Sequence, residues 1–141
     1  MRVLFIGDIV GEPGRQAVKE LVPKIIKQEK IAFVIANGET TAGGSGITPM
    51  IVDELLGYGV DVITSGDHIW KRKEILDRIA EDARILRPAN YPREAPGFGA
   101  TVVKSRSGVE VGVINLIGRV FMQAVECPFK TVKAEVDKMK S

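Results

Sequence analysis

Three apolar runs in this chain stop the same way, at a glycine followed by an acidic residue. Residues 3–6 run into Gly7-Asp8, residues 31–36 reach Gly38-Glu39 through Asn37, and residues 60–64 reach Gly66-Asp67-His68 through Ser65. The continuous run at residues 3–6 reads as a strand buried on both faces, residues 31–36 as a second buried strand and residues 60–64 as a third, short one, the pattern of a parallel sheet covered by other layers. Helical stretches separate them. Residues 12–28 place Val18, Leu21, Val22, Ile25 and Ile26 at three- and four-residue spacing on one face. Pro13 sits in the first turn, where a missing N–H costs little, and Pro23 is expected to kink or split the helix. Thr48 is the predicted N-cap of a second helix, with Pro49 at its first position and an end near Gly57.

A third helix is expected over about residues 70–82, followed by an extended, proline-pinned loop over residues 86–92. Residues 99–104 and 109–116 flank Ser105-Arg106-Ser107-Gly108 as a hairpin. A last helix from about residue 128 to 140 puts Phe129, Val132, Val136 and Met139 on one face. The order βαβαβα followed by ββα predicts an α/β fold with a parallel sheet extended by an antiparallel pair. No repeat or linker interrupts it, so residues 1–141 read as a single domain.

Side chains at the carboxyl ends of neighbouring parallel strands converge on one crevice. Carboxylates gathered there repel one another unless protonated or bridged by cations, and flanking glycines let backbone and ligand approach closely. Hard oxygen donors with one imidazole favour Mn, Mg or Fe over a structural zinc held by thiolates. Two such ions about 4 Å apart clamp a phosphate and generate the attacking hydroxide. Against this stands the plainer reading of each residue: an acidic strand end is often a turn former or helix cap, and a lone histidine is often a satisfied polar group.

Other chemistries fail on the residues present. Cys127 is the only cysteine, which excludes an internal disulfide and a thiolate zinc cage, and it reads as a small half-buried hydrophobe rather than a nucleophile. Gly7, Gly11 and Gly14 lack the dinucleotide spacing, and Gly43-Gly44-Ser45-Gly46 lacks the lysine of a phosphate loop. That glycine stretch reads either as a flexible wall of the crevice or as a simple turn. Lys and Arg total 20 against 18 Asp and Glu, a net charge of +2 with no polybasic block, so no electrostatic nucleic-acid footprint is present. The apolar run before Asp8 is too short for a signal peptide or a membrane span, and a cytoplasmic location is expected.

At these positions the chain resembles the YmdB-like calcineurin-type metallophosphoesterases of bacteria. The likeness is carried by Gly7-Asp8-Ile9-Val10-Gly11-Glu12-Pro13-Gly14-Arg15, Ala36-Asn37-Gly38-Glu39, the loop from Ala42 to Thr48 and Gly66-Asp67-His68-Ile69-Trp70. It continues through Arg87-Pro88-Ala89-Asn90-Tyr91-Pro92 and the stretch from Asn115 to Met122, and runs on to Cys127-Pro128-Phe129. The resemblance implies an α/β/β/α sandwich, a binuclear centre of two divalent ions, and phosphodiesterase activity on substrates that include 2′,3′-cyclic nucleotides; an RNA end is a further substrate class. It implies Asp8 as a ligand of the first metal, Glu39 as the bridge, Asp67 as a ligand of the second and His68 as proton donor to the leaving alkoxide.

Two positions depart from the family pattern. Thr40 stands where a neutral asparagine ligand of the first metal is expected, and Asp67 stands where an asparagine precedes the histidine. Family members are also nearly twice this long, and their second half supplies further histidine ligands. The expectation is therefore the N-terminal half of the family's domain, with self-association through an uncovered apolar sheet face. A non-catalytic binding or scaffold module is the alternative.

Overall fold

The computed structural model describes residues 1–140. The elements are β1 (Val3–Asp8), α1 (Gly11–Glu29), β2 (Phe33–Asn37), α2 (Pro49–Gly57), β3 (Val62–Thr64), a 3₁₀ turn (Lys73–Ile75), α3 (Leu76–Glu81), β4 (Ile85–Leu86), β5 (Ala100–Lys104), β6 (Glu110–Ile114) and α4 (Pro128–Lys140). Strands β1 to β4 form a parallel sheet in that order, and β5 and β6 form an antiparallel hairpin. Right-handed crossovers between strands laid down in one direction put their helices on one face of the sheet.

Alternation along the strands then sorts the core into two layers. Val34, Ala36, Ile63 and Ile85 pack with Val18 and Val22 of α1, Val52 and Leu55 of α2 and Ile79 of α3. The intervening Phe33, Val62 and Leu86 pack instead with Val113, Val103 and Val111 of the hairpin. The fourth layer is α4: a Cβ added at Gly112 of β6 would meet Met139 Sδ at 2.8 Å. Helices, parallel sheet, hairpin and helix thus stack as the expected α/β/β/α sandwich.

Several local expectations need correction. The first strand is not buried on both faces: Leu4 and Ile6 pack on the helical core, while Val3 and Phe5 are 45% and 64% exposed. It is an edge strand, and the hairpin contacts β2, β3 and β4 without covering it. Pro23 does not split α1, which runs unbroken through it. Both Pro23 and Lys19, whose carbonyl loses its donor, are exposed, so water can satisfy that carbonyl.

The helix expected from residue 70 begins later and is mostly shorter. Residues 67–70 form a turn, closed by Ile69 N–H donating to Gly66 O and Lys71 N–H to His68 O, at 3.4 and 3.0 Å. Residues 85–86, the first of which precedes the expected loop, pair as a strand with Ile63 and Thr64. Thr48 caps α2 as expected, accepting from Ile51 N–H at 3.3 Å. The face expected on α4 is less covered than its spacing suggests, with Phe129 83% exposed and no residue of the helix buried.

Candidate functional site

Because β1, β2 and β3 are parallel neighbours, their carboxyl ends lie along one edge of the sheet. The register pairs Asp8 with Asn37 and Asn37 with Thr64, and it slips between Ile6 and Asp8, so Gly7 is an irregular step in the edge strand. Asp8, Glu39 and Asp67-His68 therefore leave the sheet beside one another. The parallel pairing does this; nothing local to any one strand requires it.

The site residues fall into two linked groups. In the first, Thr40 Oγ donates to Asp8 Oδ1 at 2.5 Å, with Ile9 O at 3.1 Å as its other acceptor. In the second, the Glu39 carboxylate accepts from the His68 N–H at 3.2 Å. That carboxylate lies flat against Gly66: a Cβ built there would stand 2.5 Å from Oε2 and 2.6 Å from Oε1. The absence of a side chain at Gly66 is what admits Glu39. His68 Nε2 stands 3.9 Å from Asp67 Oδ2, whereas Nδ1 is buried with no hydrogen-bond partner. Asn37 Oδ1 accepts from Glu39 N–H at 3.1 Å and fixes the turn that carries the carboxylate.

Glu39 and Asp67 open into a cavity of about 640 Å³, bordered also by Phe5, Asn37, Asn115 and Met122. Among the described residues, however, no group of three or more His, Cys, Asp or Glu side chains is placed to hold a metal ion. The donors are of the kind a divalent cation takes, oxygen with one imidazole. Their number within reach of any one point is short, so a closed coordination shell requires donors beyond these.

The glycine stretch after Glu39 is a hydrogen-bonded turn. Gly46 N–H donates to Glu39 O and Ala42 N–H to Gly46 O. Arg72 reaches Ala42 O and Ser45 O, and Arg15 reaches Thr41 O at 2.7 Å. Gly43, Gly44 and Gly46 all take positive φ, the backbone region that glycine enters without penalty. The turn does not border the cavity that holds Glu39 and Asp67, which favours the second of the two sequence readings.

Three supporting residues carried no role in the sequence reading. Asn115 donates to Ser65 O and Leu86 O at 2.7 and 2.9 Å, tying the end of β6 to the ends of β3 and β4. Asn90 donates to Ile117 O and Glu126 O and accepts from Ile117 N–H, so it clasps the segment that borders the cavity. Tyr91 packs edge-on against Trp70 with ring centroids 5.0 Å apart. Burial raises its phenol pKa, and the Asp67 and Glu39 carboxylates raise it further. All three lie in stretches that carried the family likeness, but no spacing rule marks an amide as a clasp. Cys127 is half-buried as expected. Its thiol pKa is lowered by the N–H groups of Lys130 and Phe129 in the first turn of α4.

A family model described as YmdB-like protein matches residues 4–141. The chain is 50% identical over 129 residues to the 2′,3′-cyclic-nucleotide 2′-phosphodiesterase of Bacillus subtilis, an alignment covering 92% of this chain and 48% of that one. A crystal structure of a hypothetical protein from Thermus thermophilus superposes with a TM-score of 0.89 at 36% identity, covering 97% of this chain and 53% of that one. A phosphatase from Mycoplasma pneumoniae superposes at 0.87 and 27% identity, covering 96% and 50%. The chain spans about half the length of the curated relatives it matches.

Proposed function

Because this chain belongs to the YmdB-like protein family, we propose that it carries part of the active site of a metal-dependent phosphodiesterase. In this reading Asp8, Glu39, Thr40 and Asp67 ligate two divalent ions, of Mn, Mg or Fe, and His68 is the proton donor. The substrate is a small phosphodiester or nucleotide, with 2′,3′-cyclic nucleotides first and an RNA end second. The observation that carries the reading is the convergence of three acidic strand ends, with the Glu39 carboxylate held between Gly66 and the His68 N–H.

When bound, divalent ions offset phosphoryl charge and lower the pKa of water. The chain's own residues do the rest. The Thr40 hydroxyl orients the Asp8 carboxylate, and the Asn37 turn and the Gly66 gap aim Glu39 into the cavity. His68 is 37% exposed at its side chain, with Nε2 the nitrogen nearer a carboxylate; it holds a proton for the departing alkoxide oxygen. Trp70, in the turn that carries His68, packs edge-on against Tyr91. The exposed Val3 and Phe5, with Phe121 and Phe129, support self-association of the isolated chain; a monodisperse monomer by light scattering counts against it. No helix among the described residues is long and apolar enough to cross a membrane.

A second reading, a binding or scaffold module that keeps the fold without the chemistry, is favoured by the incomplete donor group. The deciding experiment is Mn²⁺ binding and Mn²⁺-dependent hydrolysis of 2′,3′-cyclic AMP by the purified chain, with Asp8→Ala and Glu39→Gln as comparisons. Binding and turnover that both variants lose support the phosphodiesterase reading. Binding indifferent to both substitutions overturns this ligand assignment; no Mn²⁺ binding or turnover at all moves this chain to the scaffold reading or to a partial site that needs donors beyond these.

A further inference from the structure

Arg87 is only 7% exposed, yet it forms no ion pair among the described residues. Its Nη1 donates to Pro88 O at 2.8 Å, and its Nε is buried with no acceptor. Removing a charged group from water without a partner is unfavourable unless a counter-charge arrives. Burial lowers the Arg87 pKa, and the Glu135 carboxylate opposes that only through space. Glu135 is itself engaged by Lys138. The guanidinium is thus a buried cation whose local partner set is incomplete.

Arg87 borders a groove of about 930 Å³ between the segment at residues 87–94 and α4, and Arg93 and Lys130 border it too. None of the groove's residues borders the cavity of Glu39 and Asp67. Glu94, Glu126 and Glu135 also line it, with Lys138 beside Glu135, which limits the site to one small anion rather than a polyanion. A guanidinium fork matches two oxygens of one phosphoryl group, and flanking cations suit the remaining charge.

We propose that this groove is a second anion site, which takes the phosphoryl group of a small molecule on Arg87 with Arg93 and Lys130 beside it. The proposal is independent of the phosphodiesterase reading and needs no metal. It is tested by titrating the metal-free chain with inorganic phosphate at matched ionic strength while following the Arg87 Nε–H resonance by NMR. That resonance is assigned by its disappearance in Arg87→Lys. Should Arg87→Lys fail to fold, Lys130→Gln and Arg93→Gln, both at the surface of the groove, identify the site through their effect on the titration.

The expected result is a saturable shift of the Nε–H, with affinity falling about fivefold to tenfold in each of Lys130→Gln and Arg93→Gln, and unchanged in Asp8→Asn. No saturable shift at millimolar phosphate overturns the proposal. So does an affinity that neither groove variant alters, or one that Asp8→Asn shifts several-fold, since the anion then sits in the carboxylate crevice.

Discussion

Replacing Gly66 by alanine should displace Glu39 while leaving the fold intact. The built Cβ stands 2.5 Å from Glu39 Oε2, and real Cβ atoms essentially never come within 3.0 Å. The carboxylate must therefore retreat by at least about 0.5 Å, and by about 0.9 Å to reach ordinary contact at 3.4 Å. The obstructing atoms are the far end of a flexible side chain, so the backbone need not move. A retreat of that size is expected to break the contact of Oε2 with the His68 N–H, now 3.2 Å away. Losing that hydrogen bond costs about 1 kcal/mol, and the smaller conformational freedom of unfolded alanine returns about 0.4–1 kcal/mol.

Stability should therefore stay within about 1 kcal/mol of wild type. A ligand whose support is lost typically costs metal affinity about 10–100-fold. Gly7→Ala is the control: it precedes Asp8 in the same sequence pattern, yet nothing lies within 4 Å of its built Cβ. It should change stability and affinity by no more than about twofold in either equilibrium constant. The assays are urea unfolding, Mn²⁺ calorimetry and the ¹⁵N shift of the His68 amide, which reads the Glu39 contact without any metal. A Gly66→Ala chain that keeps the wild-type His68 amide shift, or a Gly7→Ala chain as impaired as Gly66→Ala, refutes the reasoning.

Asn115→Ala should cost about 1–3 kcal/mol in urea unfolding, because Ser65 O loses its donor in a buried place, while Leu86 O keeps the Ser65 hydroxyl; a wild-type midpoint refutes the clasp. Thr40→Asn should raise Mn²⁺ affinity several-fold, since an amide oxygen is the better neutral ligand, and unchanged calorimetry argues against Thr40 as a ligand. Asp82 has its pKa lowered from 3.8 to about 2, first by the Arg84 hydrogen bond. Its folded value is depressed, so its stabilisation is full above 3.8 and disappears as pH falls towards about 2. Asp82→Asn should therefore be less stable than wild type at neutral pH and converge with it through that window, and a gap independent of pH refutes the assignment.

Residue order alone carried the class of fold and the positions of the acidic strand ends. Apolar runs ending at Gly7-Asp8, Gly38-Glu39 and Gly66-Asp67 are local patterns, as are the Thr48 cap and the hairpin around Ser105-Gly108, and local patterns survive in one dimension. Other features depend on which element lies beside which. Val3 and Phe5 read like Phe33 and Val62, but only the sheet order makes β1 an edge that the hairpin leaves bare. The three glycines of the repeated pattern read alike and behave differently. A Cβ at Gly7 would face open space, one at Gly38 would press on Ile63 and Ile47, and Gly66 makes room for the carboxylate that follows the neighbouring strand.

The pairing of Thr40 with Asp8, the amide clasps of Asn90 and Asn115, and the burial of the Arg87 Nε without an acceptor are likewise products of packing between residues distant in the chain. Sequence fixes which donors exist. Only tertiary structure decides which of them meet, because a hydrogen bond or an ion site depends on distances of a few ångströms that the parallel register and the layer order set.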